Sequence, residues 1–182
     1  MASPSKEESV LKLFLESSPL REWHFEEVVR KAKVTRAAAN KWLKKYAKEG
    51  LLKRIKVKGK FPYFMAGSNN PVYYSRKRLY ALEQLYNSGL ISQLLSLKEA
   101  KTVIIFGSIA KGDWYKDSDI DIFIYGNAGS LDKHVYELRL KRSIELHIFE
   151  NKSEISRIKT GLIQNIINGY VVKGSIQDII KL

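Results

Sequence analysis

Between Phe106 and Ile124 the chain reads FGSIAKGDWYKDSDIDIFI, which places Asp117, Asp119 and Asp121 at alternate positions. Like charges gathered in this way cost free energy unless a cation sits among them. SDIDIFIY has the alternation of a strand, with Asp119 and Asp121 on one face and Ile120, Ile122 and Ile124 on the other. Two such carboxylates have Cα atoms about 6.5 Å apart and lean the same way. Together they suit a hard divalent cation such as Mg²⁺, which favours carboxylate and phosphate oxygens. Just upstream, an apolar strand from Val103 to Phe106 stops at Gly107-Ser108, and SIAKGD can form the first turn of a short helix. A glycine-serine turn entering a helix presents backbone N–H groups, and the positive end of the helix dipole, to a phosphate. A phosphate cradle, an acidic metal site and a further carboxylate are the parts needed for phosphoryl or nucleotidyl transfer.

The elements that must position these groups follow from periodicity. SLDKHVYELRLKR is expected to be helical, capped by Ser130, and SIELHIFE to be a third strand with Glu145 and His147 on one face. KSEISRIKTGLIQNIINGYVVKG is expected to form a closing helix and a short extended tail. Asp117 reads as a turn residue, and His147 as a packing or surface histidine. Trp114 and Tyr115, between the cradle and the carboxylates, are expected to pack locally, with stacking on a base as the alternative.

The compound pattern Gly107-Ser108-x-Ala110-Lys111-Gly112, then Ser118-Asp119-Ile120-Asp121, resembles the signature of the polymerase-β-type nucleotidyltransferase superfamily. The resemblance covers about residues 98–174 and is to the minimal prokaryotic members. It implies that Gly107 and Ser108 hold the terminal phosphates of a nucleoside triphosphate, ATP by default, with Lys111 placed to steer phosphates or simply solvated. It further implies that Asp119 and Asp121 bind two Mg²⁺ ions. Glu145 is the best match to the superfamily's third carboxylate, which helps deprotonate the attacking hydroxyl. The family usually has Asp there, so Glu145 adds a methylene.

The N-terminal third has a different character. Residues 1–74 carry 16 Lys/Arg against 7 Asp/Glu, and from Arg30 to Lys60 there are 13 basic residues and one acid, Glu49. Helical spacing places Val10, Leu11, Phe14 and Leu15 on one stripe, and Phe25, Val28, Val29 and Ala32 on a second. A third helix starts at a Thr35 cap, carries Ala39, Trp42, Leu43, Tyr46 and Ala47, and stops at Gly50. LLKRIKVKGKFPYFMAG then reads as a basic β-hairpin with Gly59 in the turn. Three helices followed by a basic hairpin resemble a winged helix-turn-helix over residues 5–67. That resemblance implies that Arg36, Asn40 and Lys44, with Lys41 beside them, face bases or phosphates of nucleic acid, double-stranded DNA before RNA. Lys56, Lys58 and Lys60 of the wing would contact phosphates. A solvated basic face on a protein-docking module is the bland alternative.

The expected fold is α/β (α+β). Residues 1–70 form a winged helix domain, 71–97 a helical connector with Leu79, Leu82, Leu85 and Tyr86 as packing stripe, and 98–182 a minimal nucleotidyltransferase core. The absence of cysteine excludes a disulfide framework and a thiolate site, and three dispersed histidines match no zinc motif. No apolar run approaches the roughly 20 residues that span a bilayer, so a cytoplasmic protein without membrane contact is expected. The function expected is Mg²⁺-dependent transfer of a nucleoside monophosphate to an acceptor hydroxyl on a protein, a nucleic acid or a small molecule. The rival is a DNA-binding regulator whose transferase domain only binds nucleotide or is inactive. A homodimer goes with either as a DNA binder.

Overall fold

The structure is a computed structural model and describes residues 5–180. The chain divides into two units, Met1–Lys77 and Arg78–Leu182. In the first, α1 (Lys6–Glu16) opens on a capping box: the Ser5 hydroxyl accepts from the Glu8 N–H at 3.1 Å, and the Ser5 N–H donates to Glu8 Oε2 at 2.7 Å. Its buried stripe is Val10, Leu11, Phe14 and Leu15, as the periodicity predicts. α2 (Phe25–Ala32) and α3 (Arg36–Lys48) follow, the latter capped by Thr35, whose hydroxyl accepts from the Ala38 N–H. The anticipated hairpin is β2 (Leu52–Ile55) and β3 (Tyr63–Ala66), paired antiparallel.

A third strand, β1 (Trp23–His24), pairs with β3 and gives the sheet order β1-β3-β2. It has only two residues, too few for an alternation to show in the sequence. Trp23 is nonetheless buried, with its ring centroid 5.9 Å from that of Phe14 and the Arg21 guanidinium 3.9 Å above it.

α4 (Pro71–Asn87) and α5 (Leu90–Ser96) are separated at Gly89. Of the expected α4 stripe, Leu85 is buried and Leu82 half-buried, with Ala81 buried one turn before Leu85, whereas Leu79 and Tyr86 are exposed. The leucine pattern was ambiguous because several apolar residues compete for one narrow face.

The second unit is built on a mixed sheet of order β6-β5-β4-β7. β4 (Ala100–Phe106) runs into α6 (Gly107–Lys111) and returns antiparallel as β5 (Ile120–Gly126). β6 (Ile144–Phe149) lies parallel to β5, which requires a crossover, supplied by α7 (Lys133–Leu140). The cap of α7 is Asp132, whose carboxylate accepts from the His134 N–H, rather than Ser130. The single closing helix is instead α8 (Lys152–Ile155) and α9 (Thr160–Ile167). The extended tail is a true strand, β7 (Tyr170–Lys173), paired antiparallel with β4. Its backbone, with Val171 opposite Ile104 and Tyr170 opposite Ile105, pairs an edge of β4 that would otherwise expose unpaired groups. α10 (Gln177–Ile180) follows. Ile104, Phe106, Phe123 and Tyr125 form the core of one sheet face, under Ile155, Ile166 and Ile179 from these three helices.

Candidate active site

Asp121, Phe123 and Tyr125 alternate on β5, so the carboxylate continues the row of core aromatics at the strand's first turn of pleat. The parallel register sets Asp121 opposite Glu145 and Phe123 opposite His147. β4 sets Phe106 against Asp121 on the other side, and the ring of Phe106 lies 5.1 Å from that of His147. Two strands, β5 and β6, thus deliver two carboxylates and an imidazole to one place, and Phe106 of β4 packs beside them. Ligand atoms of Asp121, Glu145 and His147 all lie within 4.8 Å of one another. His147 Nε2 is 3.6 Å from Glu145 Oε1 and 3.9 Å from Asp121 Oδ1, and this buried nitrogen makes no hydrogen bond among the described residues.

Burial pushes the Asp121 carboxyl above the ordinary carboxylate range, and the charges of Glu145 and Asp119 push the same way; His147 opposes them. The side chain of Asp121 is 24% exposed and that of Glu145 60%. Asp119 stands one residue ahead of β5 and is exposed, outside the group of three. Its charge still reaches Asp121.

The cradle residues meet this cluster directly. Gly107 has φ +69°, a left-handed conformation natural to glycine, and a Cβ built there would lie 2.0 Å from Asp121 Oδ2. The first residue of α6 and the carboxylate of Asp121 are therefore packed backbone against side chain, so that a methyl group there would displace the carboxylate. Ser108 follows within α6, and its carbonyl accepts from the N–H groups of Gly112 and Asp113. Lys111 Nζ donates to Asn165 Oδ1 on α9 at 2.9 Å.

Between cradle and carboxylates the chain is tied down. Trp114 is 1% exposed, its ring stacked on Tyr80 at 6.0 Å and 12°, with the Arg142 guanidinium 4.5 Å from its centroid. Local packing, not base stacking, is its role. Arg142 also donates to the carbonyls of Tyr115 at 2.8 Å and Ser118 at 3.3 Å. Asp117 lies in the turn closed by the Ser118 N–H bond to the Tyr115 carbonyl.

In the first unit, Arg36, Asn40, Lys41 and Lys44 are all exposed on α3. Arg36 pairs with Glu26 at 2.7 Å, and Lys41 Nζ lies 4.5 Å from the Trp42 centroid. Lys56, Lys58 and Lys60 are exposed in the β2–β3 loop, next to Phe61, which is 85% exposed.

Sequence reasoning did not assign His147 to the site. Its shared face with Glu145 was visible, but the parallel pairing that faces both toward Asp121 was not. No helix among the described residues is long and apolar enough to cross a membrane.

Comparison with known proteins bears on the second unit. No curated protein matches the chain. A solved structure described as a toxin-antitoxin with AMP-PNP is similar at 20% sequence identity and a TM-score of 0.33, over 57% of this chain and 78% of that one. Residues 88–173 match the family model described as the nucleotidyltransferase domain, a span that contains the Gly107-Ser108 turn, Asp119, Asp121, Glu145 and His147. Residues 88–173 are thus similar to a nucleotidyltransferase domain.

Proposed function

We propose that the second unit transfers a nucleoside monophosphate from a nucleoside triphosphate, ATP in the first instance, to an acceptor hydroxyl. The observation that carries this reading is the contact of Gly107 with Asp121, which sets a phosphate-binding backbone against a carboxylate pair inside a nucleotidyltransferase-like domain. Gly107 and Ser108 hold the terminal phosphates through backbone N–H groups at the start of α6. Glu145, the more exposed carboxylate, takes the proton of the acceptor hydroxyl. The acceptor oxygen bonds to the α-phosphorus, the bond from that phosphorus to the bridging oxygen breaks, and pyrophosphate leaves. Asp121 and Glu145, with Asp119 alongside, suit Mg²⁺ by donor type, and the bare Nε2 beside them is consistent with a cation site. A bound divalent ion supplies positive charge for the triphosphate and for the charge developing on transfer.

The first unit is read as a winged helix that binds nucleic acid, double-stranded DNA before RNA. In support stand the order α1-β1-α2-α3-β2-β3, the exposed row Arg36, Asn40 and Lys44 with Lys41 on α3, and the lysines of the β2–β3 loop.

The separation of Asp119 from Asp121, Glu145 and His147 favours a second reading, a DNA-binding regulator that binds nucleotide without turnover. Incubation with α-labelled ATP, Mg²⁺ and cell extract separates the two. Label on an acceptor, lost in Asp119→Ala/Asp121→Ala, is expected. Transfer that survives the double substitution refutes the site, and Mg²⁺-dependent ATP binding without transfer favours the nucleotide-binding regulator. Fractionating the label into protein, nucleic acid and small molecules identifies the acceptor class.

A further inference from the structure

We infer that His147 is a metal ligand, and that the centre at Asp121, Glu145 and His147 selects a divalent first-row transition ion over Mg²⁺. This rests on the reading of Asp121 and Glu145 as cation ligands. It departs from an all-oxygen site by adding a nitrogen donor.

The argument begins with the imidazole. His147 lies on β6 between Glu145 and Phe149, so it shares the sheet face that carries Asp121 and Phe123 on β5. Its ring is held against Phe106 at 5.1 Å, and its side chain is only 21% exposed. Nε2 is buried and makes no hydrogen bond among the described residues, which costs free energy unless the nitrogen has another partner. It points between two carboxylates, at 3.6 Å and 3.9 Å. A hydrogen-bonded imidazolium–carboxylate pair closes to about 2.7–2.9 Å. The observed spacing is too wide for that. Three donor atoms that converge without bonding one another leave a position for a cation among them.

The donor set decides the class of ion. Mg²⁺ takes oxygen ligands almost entirely and gives up its waters reluctantly. Imidazole suits ions from the first transition row, whose affinity for mixed nitrogen and oxygen sites rises from Mn²⁺ toward Cu²⁺. Two carboxylates and one neutral imidazole are therefore a better match to Mn²⁺, Co²⁺ or Zn²⁺ than to Mg²⁺. The ligating nitrogen would be Nε2, which requires the proton of the neutral ring to sit on Nδ1.

The test uses the full chain and the metal ion alone. Mn²⁺ and Mg²⁺ are titrated calorimetrically into wild type, His147→Gln and Asp121→Asn, and bound Mn²⁺ is examined by pulsed EPR for coupling to ¹⁴N. Circular dichroism checks that each variant folds. Wild type should bind Mn²⁺ about tenfold or more tightly than Mg²⁺, with ¹⁴N coupling present. His147→Gln should abolish the coupling and bring the two affinities together, and Asp121→Asn should lose both ions. Mn²⁺ bound in an Asp121-dependent manner without ¹⁴N coupling overturns the inference, as does a Mn²⁺ preference that survives His147→Gln. If Mg²⁺ supports nucleotide transfer while His147→Gln leaves ion preference unchanged, the inference fails and the transferase reading stands. If wild type transfers nothing but shows the coupling, the reverse holds.

Discussion

Asp121 and Glu145 stand directly opposite each other on the parallel strands β5 and β6, two like charges in register, with His147 Nε2 3.9 Å from the one and 3.6 Å from the other. An arrangement of this kind is maintained against its own repulsion, which is the mark of a site whose missing charge comes from a ligand.

Removing one of these charges should therefore stabilise the fold while abolishing its chemistry. Asp121→Asn keeps the shape of the side chain and removes the repulsion with Glu145 and Asp119. Like charges opposed on paired strands cost up to about 1 kcal/mol, so thermal melting without divalent ions should show a small upward shift. Nucleotide transfer should be lost in the same variant. A melting temperature that falls would show that the carboxylate is structural.

The same residue sets a pH dependence whose sign is definite. Burial raises the folded-state pKa of Asp121 above its ordinary 3.8. Between 3.8 and the raised value the folded state holds a proton that the unfolded chain has released. Stability from this group is thus fully present at low pH and declines as pH rises through that window. Divalent cations compete with the proton, so their affinity should rise over the same window. Calorimetric titration of Mg²⁺ and Mn²⁺ at several pH values checks this, and Asp121→Asn should flatten the profile.

Gly107→Ala should damage the site more than the fold. The substitution forces a left-handed φ on alanine, a cost of roughly 1–2 kcal/mol, and drives a methyl group to 2.0 Å from Asp121 Oδ2. Gly59→Ala is the control: φ is +78° and the space around it is open, so the strain is similar and the carboxylate is untouched. Both variants should melt lower, and only Gly107→Ala should lose nucleotide transfer. Equal transfer in the two would detach the cradle from the chemistry.

Much of this was legible in the chain, and the failures have physical causes. Thr35 as cap, Gly50 as stop and Gly107-Ser108 as strand-to-helix turn are local signals, and each sits where its chemistry predicts. Asp132 displaced Ser130 because both residue types cap well and spacing alone does not choose between them. The extended tail is legible but its partner is not, because pairing with β4, some 65 residues earlier in sequence by the Ile105–Tyr170 partners, is non-local. His147 was passed over for the same reason. Which residues β6 faces is decided by a parallel register, and a sequence displays a strand's own alternation but not its neighbour's.

Arg142 should matter for catalysis without touching substrate. It ties the 114–118 segment through bonds to the Tyr115 and Ser118 carbonyls and a stack on Trp114, and Asp119 follows immediately. Arg142→Ala should lower kcat while leaving Mn²⁺ binding at Asp121, Glu145 and His147 largely intact. Arg142→Lys should not rescue it, because lysine lacks the planar fork that stacks and donates at once. Full activity in Arg142→Ala would show that the segment holds itself.

The basic surface of the first unit makes a quantitative prediction about salt. Lys56, Lys58 and Lys60 are exposed in the β2–β3 loop, and Arg36, Asn40, Lys41 and Lys44 on α3. Each phosphate neutralised on duplex DNA contributes about −0.9 to the slope of log K against log salt. Replacing the three loop lysines by alanine should therefore make the slope shallower by about 2–3, equally for different sequences. Asn40→Ala should instead leave the slope unchanged and blur discrimination between sequences, since an uncharged side chain reads bases without releasing counterions. Fluorescence anisotropy at several salt concentrations measures both. A slope near zero in the wild-type chain would exclude duplex DNA as the partner of this surface and leave α3 a solvated face on a protein-docking module.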